Sequence, residues 1–140
     1  MIDNPAAEDG GLPEGFRVLV ADDEERLRFV VTMMLEELGA EVVAVDSGEK
    51  ALALYGAPGA GFDFVLLDLR MKGLGGAAAF REIVSRDPEA RVVLSSGVRP
   101  DDDLLAELRR NNGAFIEKPF DIGQLARVFG GLARRSTRPR

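Results

Sequence analysis

Apolar residues occur in five short runs that are separated by longer segments of mixed polarity. The runs are Val18–Ala21, Val42–Val45, Phe64–Leu67, Val92–Ser95 and Ala114–Ile116. Each run has about the length of a buried strand and is continuous instead of alternating with polar residues. Strands that are apolar on both faces belong to parallel sheets with helices on both sides. The pattern therefore predicts a five-stranded parallel sheet.

The segments between the runs have helical periodicity. The first carries one apolar stripe, formed by Leu27, Val30, Val31, Met34 and Leu38. Gly39 follows as a stop signal, and the third helix is expected to end before Asp87 and Pro88. Ser47, Asp101 and the pair Asp121 and Gln124 stand where helix caps are expected. Five βα units with right-handed crossovers predict an α/β fold, a doubly wound three-layer (βα)5 sandwich.

The folded domain is predicted to span residues 16–133. Residues 1–15 are rich in Gly, Pro, Ala and acidic side chains and lack apolar periodicity, which indicates a flexible leader or linker. Residues 134–140 are predicted to form a basic tail, and no DNA-binding or catalytic output module is expected to follow the domain in this chain.

The composition restricts the chemistry. The 140 residues include no cysteine and no histidine, which excludes disulfides, thiolate nucleophiles, histidine ligands and a phosphohistidine carried by this chain. No apolar run approaches the roughly 20 residues of a membrane span, and the N-terminus does not resemble a secretory signal. A cytoplasmic location is therefore expected. A net charge of -6 gives no support for a nucleic-acid partner.

Chemically useful side chains follow the predicted strands. Asp22 and Asp23 follow the first strand, Asp68 the third, Ser96 the fourth and Lys118 the fifth. The carboxyl ends of parallel strands meet at one edge of the sheet, where ligands of such folds bind. Repulsion between three carboxylates in one crevice favours a bound dication, and Mg²⁺ suits this donor set.

A carboxylate, a hydroxyl and an ammonium group around Mg²⁺ are suited to phosphoryl transfer. Asp68 is the predicted nucleophile, because a buried strand would hold its backbone while its side chain meets solvent. Magnesium and Lys118 would offset the charge of the transferring oxygens. Taken singly, Asp22 and Asp23 could cap a helix and Asp68 could be a turn residue. Their joint placement at the ends of different strands favours the functional interpretation.

At this point the sequence resembles the receiver domain of bacterial response regulators over roughly residues 16–133. The motifs that match jointly are Asp-Asp-Glu at 22–24, Leu-Leu-Asp-Leu-Arg-Met at 66–71, Ser-Ser-Gly at 95–97 and Glu-Lys-Pro-Phe at 117–120. The resemblance implies a flavodoxin-like sheet with the strand order 2-1-3-4-5, an order that the handedness and length of the segments do not determine.

The resemblance also implies roles for individual residues. Asp68 would be the phosphoacceptor, Asp23 a direct magnesium ligand and Asp22 a ligand acting mainly through water. The main-chain carbonyl of Arg70 would complete the metal ligands. Lys118 would pair with the phosphoryl oxygens, and the peptide bond between Lys118 and Pro119 would be cis.

Two further residues are implied to form the switch. Ser96 matches the switch hydroxyl better than Ser95, because the family pattern is Ser or Thr followed by a small residue, here Gly97. Phe115 stands at the position of an aromatic residue that moves inward when the hydroxyl engages the phosphoryl group. A purely static core role for Phe115 is equally open.

The chain departs from the family pattern in the loop after Asp68. Relatives commonly have proline where this chain has Lys72, and an acidic residue where it has Gly75. The loop is therefore expected to be more mobile and more basic than usual. Arg70 and Val98 occupy positions that in relatives tune hydrolysis of the acyl phosphate, so its lifetime is left open.

The implied function is that of a phosphoacceptor in a two-component phosphorelay, not an enzyme acting on other substrates. The donor would be a sensor histidine kinase or a histidine phosphotransfer protein, and a protein partner would receive the output. Two alternatives are a receiver-like scaffold that is never phosphorylated and a phosphatase of the haloacid dehalogenase type. The phosphatase motif needs a second aspartate two residues after the nucleophile, where this chain has Arg70, and its acidic pair follows the nucleophile, whereas here Asp22 and Asp23 precede it. A free-standing receiver and the terminal receiver of a hybrid sensor kinase both remain open.

Overall fold

The structure, a computed structural model, describes residues 12–135, in which strands and helices alternate. The strands are β1 (Arg17–Ala21), β2 (Glu41–Val45), β3 (Phe64–Asp68), β4 (Val92–Ser96) and β5 (Ala114–Glu117). The helices are α1 (Glu25–Glu37), α2 (Gly48–Tyr55), α3 (Gly76–Arg86), α4 (Asp102–Arg110) and α5 (Ile122–Arg135). The five βα units predicted from the sequence are confirmed.

The strands form one parallel sheet in the order β2-β1-β3-β4-β5. The chain moves from β1 outward to β2 and then returns to the other side of β1 with β3. The strand order therefore reverses between β1 and β3, and this is where open α/β sheets form a ligand crevice at their carboxyl edge. The predicted fold class and strand order are confirmed.

Two apolar layers cover the sheet. On one face α1 and α5 contribute residues such as Leu35, Leu125 and Phe129 to the core. On the other face α2, α3 and α4 contribute residues such as Phe80 and Leu108. Every residue of β3 and β4 is buried, whereas the edge strand β2 is only half-covered. The central strands are therefore the rigid base beneath the crevice.

The buried face of α1 differs from the predicted stripe. Val31 and Leu35 are the buried residues of this helix, and Leu35 was not in the stripe. Val30, which was in it, is 46% exposed, and its neighbours Phe29 and Met33 are 65% and 53% exposed. Since apolar residues surround much of this helix, periodicity alone does not identify the side that meets the sheet. The predicted stop is present, because the helix ends at Glu37 just before Gly39.

The predicted caps are present at three helices. The Ser47 hydroxyl accepts a hydrogen bond from the Lys50 N–H at 3.1 Å, and Asp101 accepts one from the Leu104 N–H at 2.9 Å. Asp121 and Gln124 form a reciprocal box, each side chain accepting from the other's main-chain N–H at 2.8 Å. Helix α3 has no side-chain cap at Gly75 and ends at Arg86, before Asp87 as predicted.

The packed region is longer than residues 16–133. Leu12 is buried in the same apolar layer as Phe16, although it belongs to the predicted leader. Helix α5 continues to Arg135 and so includes the first two residues of the predicted basic tail. The rest of the leader (1–11) and of the tail (136–140) lies outside the described residues. Within the described range, no helix combines the length and apolar character needed to cross a bilayer.

Candidate functional site

The functional side chains predicted from the sequence converge at the carboxyl edge of the sheet. Asp22 directly follows β1, Asp68 is the last residue of β3, and Lys118 directly follows β5. Ala21 is paired in register with Leu67, one residue before Asp68. The sheet thus brings together side chains that are 46 and 50 residues apart along the chain, from Asp22 to Asp68 and from Asp68 to Lys118.

Three carboxylates form the acidic part of the site. One oxygen each of Asp22, Asp23 and Asp68 lie within 4.8 Å of one another. Asp22 and Asp68 are only 4% and 9% exposed, whereas Asp23 is open to solvent. Charges of like sign this close repel strongly where burial excludes water. Oxygen donors of this kind fit a hard dication such as Mg²⁺, which keeps several waters that the exposed side at Asp23 could accommodate.

Lys118 is the cation of the site. Its Nζ donates to Asp68 Oδ1 at 2.9 Å and to Asp22 Oδ2 at 3.4 Å. Burial lowers the pKa of the ammonium group, but the hydrogen bond to Asp68 and the charges of Asp22 and Asp68 together outweigh burial and raise this pKa above its usual value. Lys118 is therefore charged at neutral pH and is held where it can pair with further anionic oxygens.

The carboxyl group of Asp68 is a weaker acid than usual. Burial raises its pKa, Lys118 lowers it, and the neighbouring charges of Asp22 and Asp23 raise it again, so that the net direction is upward. A single ammonium group faces three carboxylates, so it does not neutralise them. An added cation would reduce this repulsion.

Main-chain contacts hold the acidic residues in place. The Arg28 guanidinium donates to the main-chain oxygen of Asp22 at 2.7 Å, and Asp22 Oδ1 accepts from the Glu24 N–H at 2.9 Å. Asp23 Oδ2 accepts from the Lys72 N–H at 3.0 Å. The sequence analysis did not identify Arg28 or the Lys72 amide, because contacts with main-chain atoms leave little signal in residue type.

Strand β4 links its neighbours through main-chain oxygens. Ser95 is paired in register with Asp68, and its carbonyl accepts from the Leu69 N–H at 2.7 Å. The Ser96 carbonyl accepts from the Lys118 N–H at 2.8 Å. Both serine side chains are buried, and the Ser96 hydroxyl accepts from the Val98 N–H at 3.1 Å. Ser95 thus lies on the strand next to Asp68, and Ser96 is the last residue of that strand.

The remaining predicted residues lie in the loop after β3, in β5 and in the turn after β5. Arg70 is exposed in the loop after β3, and the Lys118–Pro119 peptide bond is cis. Phe115 is half-buried on β5, in register with Leu94, and lines a surface cavity of about 240 Å³ together with Arg99 and Arg109. It stands two residues before Glu117, the register partner of Ser96.

This geometry can be compared with known families. The response regulator receiver domain family matches residues 18–129, which include every side chain of the site. The chain belongs to the response regulator receiver domain family. It is thus a receiver domain of two-component signalling, and the placement of Asp68 is consistent with a phosphoacceptor role.

Relatives of this receiver domain include much longer proteins. It is 29% identical over 120 residues to the autoinducer 1 sensor kinase/phosphatase LuxN of Vibrio campbellii, a match covering 86% of this chain and 14% of LuxN. It is 29% identical over 122 residues to the uncharacterized transcriptional regulatory protein YkoG of Bacillus subtilis, covering 86% of this chain and 53% of YkoG. The chain spans about half or less of the length of these two relatives.

Solved receiver structures share the fold. A chain in the crystal structure of the CheX–CheY–BeF3–Mg²⁺ complex from Borrelia burgdorferi is 25% identical and superposes with a TM-score of 0.76, covering 89% of this chain and 92% of that one. Receiver domains bind Mg²⁺ in an acidic pocket and work with histidine kinases and output partners. They are not classical enzymes. The acidic cluster of this receiver domain has the composition that such a pocket requires.

Proposed function

We propose that this receiver domain accepts a phosphoryl group on Asp68 from a phosphohistidine of a partner. The observation that supports this most directly is the position of Asp68, which lies within 4.8 Å of two other carboxylates and 2.9 Å from the Lys118 ammonium. Asp22, Asp23, Asp68 and the main-chain carbonyl of Arg70 would hold Mg²⁺. When bound, Mg²⁺ offsets the negative charge of the transferring oxygens.

The chain's own residues would carry the transfer. A carboxylate oxygen of Asp68 attacks phosphorus, so that a P–O bond forms while the P–N bond to the donor imidazole breaks. Lys118, already charged and aimed at Asp68, pairs with the transferring oxygens. The main chain of β3 holds Asp68 rigidly, so little reorganisation is needed during the step.

The donor belongs to another protein or another domain, because this sequence contains no histidine. A sensor histidine kinase or a histidine phosphotransfer protein has the required chemistry. Exposed Phe29 and Met33 on α1 support donor docking on this helix. An apolar groove of about 400 Å³ lies between α1 and the segment 118–120, with Leu27 and Val30 contributed by the helix and Lys118 by the segment. A donor helix in that region would reach Asp68.

The output would be a change in protein binding. The Ser96 hydroxyl turns toward the new phosphoryl group, and Phe115 fills the space that it leaves. Phe115 lines the cavity next to α4, so its movement would alter the surface formed by α4, β5 and α5. The partner at this surface is proposed to be a protein and not a nucleic acid, in a cytoplasmic setting.

Mass spectrometry after treatment with acetyl phosphate and Mg²⁺ tests the proposal. The native chain should gain one phosphoryl group, and chelation of Mg²⁺ should abolish the gain. Asp68→Asn should gain none. Asp46→Asn is a matched control, because Asp46 also follows a strand but pairs with Lys50 outside the acidic cluster.

Each other outcome has a distinct meaning. A mass gain that persists in Asp68→Asn would place the acceptor elsewhere. A native chain that gains no phosphoryl group and forms no beryllofluoride adduct with Mg²⁺ would be a scaffold. Repeated turnover of p-nitrophenyl phosphate would indicate a phosphatase and contradict the proposed role as a phosphoacceptor.

A further inference from the structure

Position 72 adds a hydrogen-bond donor to the acidic site. A proline at this position would have no main-chain N–H to donate. In this chain the N–H of Lys72 donates to Asp23 Oδ2 at 3.0 Å. The contact comes from the main chain, so it does not depend on the lysine side chain. It connects the loop after Asp68 with the acidic residues after β1.

Asp23 has particular need of such a donor. Lys118 donates to Asp22 and Asp68. Among residues 12–135, the Lys72 N–H is the donor within hydrogen-bonding distance of the Asp23 side chain, which is otherwise exposed. An exposed aspartate samples several rotamers, and ordering it upon metal binding costs conformational entropy. A fixed amide that engages Oδ2 restricts that freedom before an ion binds.

Glu49 holds the loop that presents this amide. Its Oε2, in the first turn of α2, accepts from the Leu74 N–H at 3.0 Å. Gly73, between the two contacts, has a φ of +75°, and a Cβ at this position would lie 2.7 Å from Glu49 Oε2. The backbone conformation therefore favours glycine, and a Cβ here would also displace the Glu49 carboxylate from its place beside the loop. The loop is fixed on both sides of Gly73, by Asp23 and by Glu49.

We propose that the main-chain N–H of Lys72 is a positioning donor that holds Asp23 ready for Mg²⁺, and that Glu49 supports it from α2. The inference rests on the proposed function, since it assigns a role toward the same metal. Partners of metal ligands commonly affect metal affinity because they orient the ligand before the ion arrives. The conformation of the loop after Asp68 is accordingly coupled to the geometry of the metal site.

Calorimetric titration with Mg²⁺ compares Lys72→Pro with Lys72→Ala. Both variants lack the ammonium group, but only the alanine variant keeps the N–H. Lys72→Pro should bind Mg²⁺ roughly tenfold more weakly than Lys72→Ala. Lys72→Ala itself should bind as tightly as the native chain or slightly more tightly, because a positive charge near the dication is removed. Equal affinities of the two variants would overturn the inference.

A second pair of variants avoids proline. Glu49→Gln keeps an oxygen that can accept from the Leu74 N–H, whereas Glu49→Ala does not. We expect Glu49→Ala to weaken Mg²⁺ binding by about threefold and Glu49→Gln to restore it. If Lys72→Pro does not fold, as judged by circular dichroism, this pair decides: equal Mg²⁺ affinities of both variants would overturn the inference.

Nuclear magnetic resonance tests the hydrogen bond itself. In Asp23→Ala the amide proton of Lys72 should move upfield and exchange faster with solvent than in the native chain. An unchanged amide proton would overturn the inference. A native chain that binds no Mg²⁺ would overturn both this inference and the proposed function. A native chain that binds Mg²⁺ as tightly as Lys72→Pro would overturn this inference alone.

Discussion

Asp68 combines two properties that oppose each other in the folded protein. Its burial beside Asp22 and Asp23 makes its charge unfavourable, yet the proposed reaction needs the ionised carboxylate. Lys118 offsets only part of this, because the pKa of Asp68 remains above its ordinary value after burial and all neighbouring charges act. The buried charge of Asp68 thus lowers the stability of the metal-free protein, although the proposed reaction requires that charge.

Asp68→Asn is expected to raise the free energy of unfolding of the Mg²⁺-free protein at neutral pH. Burial raises the pKa of Asp68 above its ordinary value of 3.8, so the folded state binds this proton more tightly than the unfolded state. Ionisation therefore costs stability. This loss is absent below the unfolded pKa and is complete once the pH exceeds the folded pKa. Asparagine carries no charge in either state.

Urea unfolding across a pH series measures this effect. The difference between Asp68→Asn and the native chain should grow as the pH rises from below about 4 toward neutrality. Added Mg²⁺ should reduce the difference, because it stabilises the native chain by binding. An asparagine variant less stable than the native chain at pH 7 without Mg²⁺ would contradict the argument.

At the scale of secondary structure, close contacts between elements limit what can be substituted. Gly76 begins α3 directly against the end of β3. A Cβ at position 76 would overlap the main-chain oxygen of Asp68 and lie 2.8 Å from the Cα of Leu69. Neither atom belongs to a flexible side chain, so α3 or β3 must move to accommodate a side chain at position 76. The residue that opens α3 therefore also influences the backbone of the acceptor.

Gly76→Ala should destabilise the fold by about 1–3 kcal/mol, as overpacked sites generally do. The matched control is Gly75→Ser, since a Cβ there lies 3.4 Å from the Leu69 oxygen and the hydroxyl could cap α3. That control should change stability by only about 0.3 kcal/mol. Thermal unfolding of both variants measures the difference, and equal stabilities would show that α3 can shift without penalty.

Tyr55 joins the ends of two helices. Its hydroxyl, at the end of α2, donates to Asp87 Oδ2 just after α3 at 2.6 Å. Burial and the hydrogen bond to Asp87 raise the pKa of Tyr55 well above its ordinary value of 10.0. The raised pKa means that the folded state favours the protonated phenol. The stability from this group is present below pH 10 and is lost as the pH rises above it.

Tyr55→Phe should therefore lower the free energy of unfolding by about 1 kcal/mol at neutral pH, because it removes one hydrogen bond to a carboxylate. Phenylalanine keeps the stacking on the Phe62 ring. Urea unfolding at pH 7 and above pH 10 measures the effect, and the difference between the variants should shrink at the higher pH. A difference that is independent of pH would exclude the phenol as its source.

At the same scale, helix caps were easier to predict than buried helix faces. The box of Asp121 and Gln124 depends on atoms within one turn, so the local sequence contains all the information. The buried side of α1 depends instead on where the sheet lies. Phe29, Val30 and Met33 are apolar on the solvent side, and the periodicity of α1 therefore does not distinguish a core face from an exposed one.

For the whole molecule, the element order followed from continuous apolar runs, because central parallel strands are covered on both faces. The order of strands in the sheet did not follow from the pattern and came from the family resemblance. The meeting of Asp22, Asp68 and Lys118 was predictable, since each follows a parallel strand. The Lys72 amide and the burial of Leu12 were not, because tertiary packing alone determines them.

Tyr55, which contacts Asp87, is also an intrinsic fluorescent probe of the protein. The chain has one tyrosine and no tryptophan, so its tyrosine emission comes from a single ring. The Tyr55 ring lies at the end of α2, near the amino edge of the sheet, where the chain continues from α2 into β3 and from α3 into β4. Asp68 lies at the opposite, carboxyl edge. Intrinsic fluorescence should thus follow global unfolding while staying silent to events at the acceptor.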